Sequence, residues 1–204
     1  MKPFSKNEVF AVLGILFFIF VLTFLNMQVS LRKARDSQRR ADLGEIANAL
    51  RRYQNDFGFY PPSKDGKILA CKGSDFDSGW NEIKNDKEFD QEKFFNLLVP
   101  CEWGKDPLKD VTDEAYPPYL KVIPGDPKGN KGISYLYLSN TKRFQIYAYL
   151  EGKEKEIGYD KSVVARSLFC GQGYVCSFGK SYGVPLDISI EEYERELLEQ
   201  SKSK

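Results

Sequence analysis

The chain has no histidine among its 204 residues, and this absence removes several classes of enzyme. Without an imidazole there is no Ser-His-Asp or Cys-His nucleophile system, no HExxH zinc site and no histidine acting as general acid or base. Carboxylates alone can catalyse hydrolysis, but the sequence contains no paired-acid motif for such chemistry. We therefore predict a protein that is not an enzyme and that needs no cofactor.

The chain also lacks an excess of charge of either sign, with 30 basic and 29 acidic residues and a net charge of +1. This balance differs from the one-sided basic surface of a nucleic-acid-binding protein, because acidic residues are interleaved with the basic ones. We expect no nucleic-acid partner. The clustered basic residues are Arg32, Lys33, Arg35, Arg39, Arg40, Arg51 and Arg52.

Cysteine is scarce, and the four cysteines form no CxxC motif, so a zinc site is a weak hypothesis. An even number of cysteines in a chain with a membrane segment favours disulfides outside the cytoplasm. Three pairings are possible, and we favour Cys71–Cys101 with Cys170–Cys176 because each closes a local loop. The alternative is four reduced, buried cysteines.

One long apolar run lies near the N-terminus. Residues 9–25 (VFAVLGILFFIFVLTFL) carry no charge, and fourteen of the seventeen are Val, Leu, Ile or Phe. Such side chains favour membrane insertion by about 4 to 8 kcal/mol in total. Extended to residue 29, the helix is about 31 Å long, one hydrocarbon thickness. No small-x-small cleavage site follows the run, so we predict a transmembrane anchor rather than a signal peptide.

The orientation of this anchor is ambiguous from charge alone. Lys2 and Lys6 precede it, whereas five basic residues follow it closely. The positive-inside tendency would therefore leave the larger domain in the cytoplasm. The cysteines favour the opposite orientation.

The helical pattern continues beyond the apolar run, with no proline before the Pro-Pro pair at 61–62. Apolar residues recur at spacings of three and four and so share one helix face, while arginines and acids such as Arg39 and Asp36 occupy the other. Gly58 and the prolines end the helix, so residues 9–57 are predicted to form one rod of about 70 Å. The apolar face consists of Leu43, Ile46, Ala47, Leu50, Tyr53 and Phe57.

The remainder of the chain indicates a small α+β head. Residues 63–118 are expected to be rich in loops, and two aromatic, β-branched segments joined by SNTKR predict an antiparallel hairpin. The predicted elements are a short helix at 90–98, a short strand at 120–123, hairpin strands at 133–138 and 144–150, and a C-terminal helix that begins with the Ser189/Glu192 capping box.

This organisation resembles the type IV pilin and type II secretion pseudopilin family. Residues 4–8 (FSKNE) match its aromatic first residue and the glutamate four positions later, just before the apolar run. Residues 55–61 (NDFGFYP) are similar to the motif that ends its first helix. The segment 119–128 (YLKVIPGDPK), followed by the two hairpin strands, is similar to a pseudopilin Pro-x-Asp-Pro loop and hairpin.

The resemblance implies a long N-terminal transmembrane helix that continues into a pilin-like head with a small antiparallel sheet. It also implies a single-pass protein of the cytoplasmic membrane, with its N-terminus in the cytoplasm and its head outside, whose partners are lipid, other pilin-like subunits and assembly machinery. The implied segments are 1–8 in the cytoplasm, 9–29 in the membrane, 30–57 as the soluble half of the stem, and 58–204 as the head.

Pro3 departs from the family pattern, because prepilin peptidase acts after a glycine. Proline fixes the backbone and lacks an N–H, so we predict that residues 1–3 remain attached and that no new amine forms at Phe4. In the family, the glutamate corresponding to Glu8 meets a neighbour's freed amine. Glu8 can instead pair with Lys6 of its own chain or of a neighbour, or be an interfacial glutamate without a special role.

Two function classes follow: a structural subunit associated with a filament, or a membrane-anchored extracytoplasmic binding module that retains the fold without polymerising. Pro3 favours the second class and Glu8 the first. No metal is expected, although the acidic residues Asp106, Asp110 and Asp113 are a weak calcium candidate. The Tyr116–Tyr119 segment (YPPY) is either a partner-binding turn or, as we favour, a rigid loop over the core.

Overall fold

A computed structural model describes residues 6–84 and 89–202. Its first element, α1, is one continuous helix over Lys6–Phe57, 52 residues in length, or about 78 Å. It ends where Gly58 takes a positive φ of 80° and donates its N–H to the Gln54 carbonyl at 2.8 Å. Glycine adopts this left-handed conformation without strain. The predicted continuous stem is confirmed.

The two halves of α1 lie in different surroundings. The N-terminal half contains a window of mean hydropathy 2.7 that makes no buried contact, and it is the one helix among the described residues that is long and apolar enough to cross a membrane. The C-terminal half packs one face into the head. Leu43, Ile46, Leu50 and Tyr53 are at most 1% exposed, as the apolar spacing predicts.

The described part of the head contains two small antiparallel sheets and four short helices. Each sheet has three strands, in the orders β1-β2-β3 and β4-β5-β6. The strands are β1 (Ser63–Lys64), β2 (Lys67–Lys72), β3 (Leu98–Pro100), β4 (Leu136–Ser139), β5 (Phe144–Ala148) and β6 (Phe178–Tyr182). The helices are α2 (Phe76–Ile83), α3 (Gln91–Asn96), α4 (Lys161–Ala165) and α5 (Ile190–Lys202), and a 3₁₀ turn spans Gly129–Lys131.

The predicted hairpin is present as β4 and β5, with Leu136 opposite Tyr147 and Ser139 opposite Phe144. Its turn is fixed by Asn140, whose side-chain oxygen accepts the Arg143 N–H at 2.9 Å. Every residue of β5 is buried, because β4 and β6 flank it and α1 contacts it. Its sequence, FQIYA, accordingly lacks the alternation of a half-buried strand, and its polar residue Gln145 donates to the Pro185 and Ile188 carbonyls.

Two helix predictions hold and one strand prediction is wrong. Asp90 caps α3 by accepting two backbone N–H groups, and the Ser189 hydroxyl accepts the Glu192 N–H at the start of α5. Residues 120–123 do not form a strand, because Leu120 makes only an isolated bridge to Leu108. The segment 63–118, which we expected to be loop-rich, contains the first sheet and two helices.

Candidate functional site

The exposed half of α1 is the most unusual surface of the described chain. Its apolar side chains point outward all around the helix, and four phenylalanines each expose between 64% and 72% of their surface. A soluble monomer rarely displays a continuous apolar surface of this size, so this half requires lipid or similar helices around it. The four residues are Phe10, Phe17, Phe18 and Phe20.

Glu8 lies in the first turn of α1, directly before the apolar run, and its side chain is exposed. A carboxylate in the first turn is favoured by the helix dipole. Pro3 and Phe4, the other two residues predicted to matter for processing and assembly, lie outside the described residues.

The head is attached to the stem through a buried ionic junction centred on Arg39. The Arg39 guanidinium is fully buried and binds Asp126 in a bidentate manner, with Nε to Oδ2 at 2.7 Å and Nη2 to Oδ1 at 3.0 Å. Its Nη1 donates to Asp36 at 2.8 Å and to Glu151 at 2.9 Å. One arginine thus connects the stem with two separate head loops.

Two further cations complete this junction around Glu151. Arg35 donates to both Glu151 oxygens at 2.7 and 2.9 Å, and the Lys128 ammonium donates to Oε2 at 2.5 Å. Asp36 also accepts the backbone N–H groups of Glu151 and Gly152 at 2.9 Å. The junction therefore contains three cations and three carboxylates, and their charges cancel.

The protonation equilibria of the junction follow from these contacts. The hydrogen bond from Arg35, opposed by burial and reinforced by Lys128 and Arg39, holds the pKa of Glu151 far below its ordinary value. Burial lowers the pKa of Arg39, but its bonds to the carboxylates outweigh this effect and raise the pKa above the ordinary range. Glu151 and Arg39 therefore stay ionised at neutral pH.

The ionic junction corrects the sequence analysis, which placed arginines and acids on the face of α1 away from the head. Arg39 and Asp36 instead lie between the stem and the head, at 0% and 6% exposure. The Asp36–Arg39 attraction at spacing i,i+3 is present. For the other members of the junction, the one sequence signal was the Pro-Gly-Asp-Pro motif that contains Asp126. Nothing in the sequence identified Glu151 as a partner of Arg39.

A second set of contacts fixes the far end of the stem. The Tyr60 N–H donates to the Thr141 carbonyl at 2.7 Å, and Arg52 donates to the Tyr119 carbonyl at 2.5 Å. Asp56 accepts the hydroxyl of Tyr119 at 2.6 Å. Tyr119 therefore packs against the stem, whereas Tyr116, Pro117 and Pro118 are exposed, and the choice between a rigid loop and a partner-binding turn stays a prediction.

Between these two ends, Asp42 on the stem accepts the Tyr135 hydroxyl at 2.6 Å. Burial, reinforced by the carboxylate, raises the pKa of Tyr135 above its ordinary value, and burial likewise raises the pKa of Asp42. Polar contacts from the head thus follow the stem from Arg32 to Asp56.

Both disulfides are present, in the pairing that we favoured. The large-loop disulfide, Cys71–Cys101, spans 30 positions and ties β2 to the end of β3. The small-loop disulfide, Cys170–Cys176, spans 6 positions. Two such bonds are typical of oxidising compartments outside the cytoplasm.

The acidic residues considered as a calcium site are engaged locally instead of converging. Asp106 accepts the Glu102 N–H at 2.7 Å, Asp110 accepts the Thr112 N–H at 2.7 Å, and Asp113 accepts the Ala115 N–H at 2.9 Å. Within residues 6–84 and 89–202, no group of three or more cysteines, aspartates or glutamates is arranged to hold a metal ion.

Comparison with protein-family models, curated proteins and solved structures finds no match to this chain. The functional interpretation therefore rests on the stem, the ionic junction and the disulfide-closed head. Together they form an α+β protein with one helix suited to a membrane and a head suited to an oxidising compartment.

Proposed function

We propose that this chain is a pilin-like or pseudopilin-like structural subunit, anchored in the membrane by the first half of α1. It assembles in, or associates with, a filament of the type IV pilus or type II secretion kind. Its partners are lipid before assembly, and other pilin-like subunits and their assembly machinery afterwards. Its role is packing rather than chemistry.

The observation that carries this proposal is the continuity of α1 across two environments. A membrane anchor that only tethered a domain would need no rigid connection to it, since a flexible linker holds a domain equally well. Here the helix runs unbroken from Lys6 to Phe57, and the head packs along its second half. Such a stem allows the apolar halves of neighbouring copies to pack together while each carries its head outward.

The same proposal includes an orientation, with the N-terminus in the cytoplasm and the head outside. The two disulfides support it, because cytoplasmic thiols are normally kept reduced. The basic residues after the anchor, among them Arg35 and Arg39, favour the opposite orientation by the positive-inside tendency, and this proposal gives the disulfides the greater weight.

Cysteine scanning of the apolar half tests the proposal, because the four native cysteines are all disulfide-bonded and a new thiol would be the only reactive one. We would oxidise membranes containing the full chain with one cysteine at each of four consecutive stem positions. In a filament, yields of cross-linked dimer vary around the helix with its period of about 3.6 residues. The positions are Phe17, Phe18, Ile19 and Phe20.

Uniformly low yields at all four positions would instead favour the second candidate, a non-polymerising, membrane-anchored binding module. The observation that favours that candidate is Pro3, which replaces the glycine after which prepilin peptidase acts. Glu8→Ala provides a second comparison. If Glu8 acts in assembly, this variant lowers the cross-linking yield without changing the folding of the head.

A further inference from the structure

The C-terminal helix α5 contacts the head through its first turns. Ile190 is 3% exposed, and Glu194 pairs with Arg143 at 3.1 Å and accepts from Asn140 at 3.2 Å. Beyond this point every side chain up to Lys202 is exposed except Leu197, which is half-buried. About 12 Å of helix therefore projects from the head.

This projecting helix is acidic and amphipathic. Over Ile190–Lys202 it carries five glutamates against one arginine and one lysine. Leu197 and Leu198 lie next to each other, and Leu198 is 60% exposed. An exposed helix with an apolar edge and one sign of charge is suited to a groove that has apolar walls and a basic rim.

The head has such a groove at its opposite end. Leu150, Ile157 and Tyr159 supply its apolar walls, and it encloses about 250 Å³ between the stem and the loop after β5. Ile157 is 83% exposed, more than any other large hydrophobic residue of the described chain. We call this surface the basic underside; the cations that line it are Lys33, Arg40 and Lys155, and Lys153 is exposed in the same loop.

The carboxylates near the basic underside are already paired. Glu156 binds Arg32 at 2.7 Å, Glu154 binds Lys161, and Asp36 belongs to the ionic junction. No carboxylate of the described residues lies within ion-pair distance of the four cations named above. The rim therefore presents positive charge to an approaching surface.

A chain cannot bring its own α5 to its own basic underside. α5 is held at Asn140 and Arg143, beside the Tyr60 end of the stem. The underside lies beside Asp36 at the other end, and the stem between Asp36 and Phe57 is about 32 Å long. The two surfaces therefore lie at opposite ends of the head along the stem.

We propose that α5 of one copy docks on the basic underside of a second copy. The contact joins two different surfaces of one chain, so it is heterologous, and repeated contacts of this kind generate open helical filaments unless the rotation closes a ring. Leu197 and Leu198 enter the groove beside Ile157, and the glutamates of α5 face the rim lysines. This inference rests on the proposed function and assigns the partner of the head as a second head.

The test uses two full-length variants, Glu199→Cys on α5 and Lys155→Cys on the underside, oxidised separately and as a mixture in detergent, where copies are not held at one depth in a bilayer. A heterologous contact gives cross-linked dimer only in the mixture, where we expect about tenfold more than in either variant alone, a ratio that corresponds to a modest preference. Gln172→Cys, exposed on the small-loop disulfide, replaces Lys155→Cys in the matched control and stays at background.

Charge exchange adds a second readout that does not depend on cysteine reactivity. Glu196→Lys on the copy with Glu199→Cys should lower the yield of the mixture, and Lys153→Glu on the other copy should restore it. Equal yields in the mixture and in the separate variants, or a charge reversal without effect, would overturn the contact. Protection of Lys155→Cys from a water-soluble maleimide by anionic vesicles, in the absence of a second copy, would assign the underside to lipid and also overturn it.

The stem cross-links separate this inference from the proposed function. If stem positions cross-link with helical periodicity while α5 and the underside do not, the head-to-head contact is wrong and the filament proposal stands. If α5 cross-links to the underside while the stem does not, the contact stands and the filament proposal fails. If neither cross-links, both are wrong.

Discussion

Replacing Arg39 with methionine tests the ionic junction between stem and head most directly. Methionine keeps most of the side-chain volume and the helix propensity, so the change removes mainly the guanidinium. Arg39 and Asp126 are both fully buried at their side chains. Removing one partner of a buried ion pair destabilises a protein by about 3–5 kcal/mol, because the remaining charge is left uncompensated.

The structure places the expected loss in the upper part of that range. Arg39 makes four hydrogen bonds to three carboxylates, and its removal leaves these three with two cations. We therefore expect the free energy of unfolding to fall by about 4–5 kcal/mol. Arg39→Lys keeps the charge but not the planar fork that holds Asp126, so its loss should be intermediate.

The assay is denaturant unfolding of the full chain in detergent, followed by fluorescence of the two tryptophans, Trp80 and Trp103, which both lie in the head. Arg40→Met is the matched control, because among residues 6–84 and 89–202 the Arg40 guanidinium donates to the Asp36 backbone carbonyl and to no carboxylate. The control should lose about 0.5 kcal/mol or less. Equal losses for Arg39→Met and Arg40→Met would show that the junction does not stabilise the head.

Three other outcomes are expected. The ion pairs of Glu151 hold its folded pKa below the ordinary 4.5. Its contribution to stability is therefore complete above pH 4.5 and is lost as the pH falls through the folded pKa. In Glu151→Gln the unfolding free energy should depend less on pH in the acid range, and the same pH dependence as in the unchanged protein would contradict the assignment. Replacing both cysteines of the large-loop disulfide by serine should lower the free energy of unfolding by about 3.6 kcal/mol, and the same change in the small-loop disulfide by about 2.2 kcal/mol, from loop entropy alone. A larger loss of thermal stability for the small-loop variant than for the large-loop variant would refute this account. Intact mass should show residues 1–3 still attached, and a mature chain that starts at Phe4 would mean that Pro3 does not block cleavage.

The local part of this fold follows from the sequence, and the long-range part does not. α1 is predictable because Gly14 and Gly44 are the only glycines before Gly58, and because its buried residues recur at helical spacing. The β4–β5 hairpin follows from two aromatic runs and a polar turn. By contrast, β6 has the sequence FGKSY, with no apolar alternation, and it pairs with residues of β5 that lie 30 to 38 positions away.

The ionic junction was unpredictable for the same reason. Two of the three carboxylates that bind Arg39 lie 87 and 112 positions further along the chain, so a helical wheel can only place Arg39 on the polar face beside Asp36. The large-loop disulfide lies between these two cases. Its short sequence separation identified the pair Cys71 and Cys101, but the sequence did not identify the sheet whose strands this bond joins. Sequence spacing identifies elements and nearby pairs, whereas buried charge depends on partners that only the fold brings together.

The two attachments of the head determine how the stem and the head move together. Arg39 fixes the head near the end of the apolar half, and Tyr60 fixes it where α1 ends, with Tyr135 bonded to Asp42 between them. A body held at two points about 30 Å apart on a helix cannot pivot about either of them. A displacement of the apolar half is therefore transmitted to the whole head, and the separation between α5 and the basic underside stays constant. A repeating contact between copies needs that constancy, because a variable separation would prevent successive copies from adopting equivalent positions.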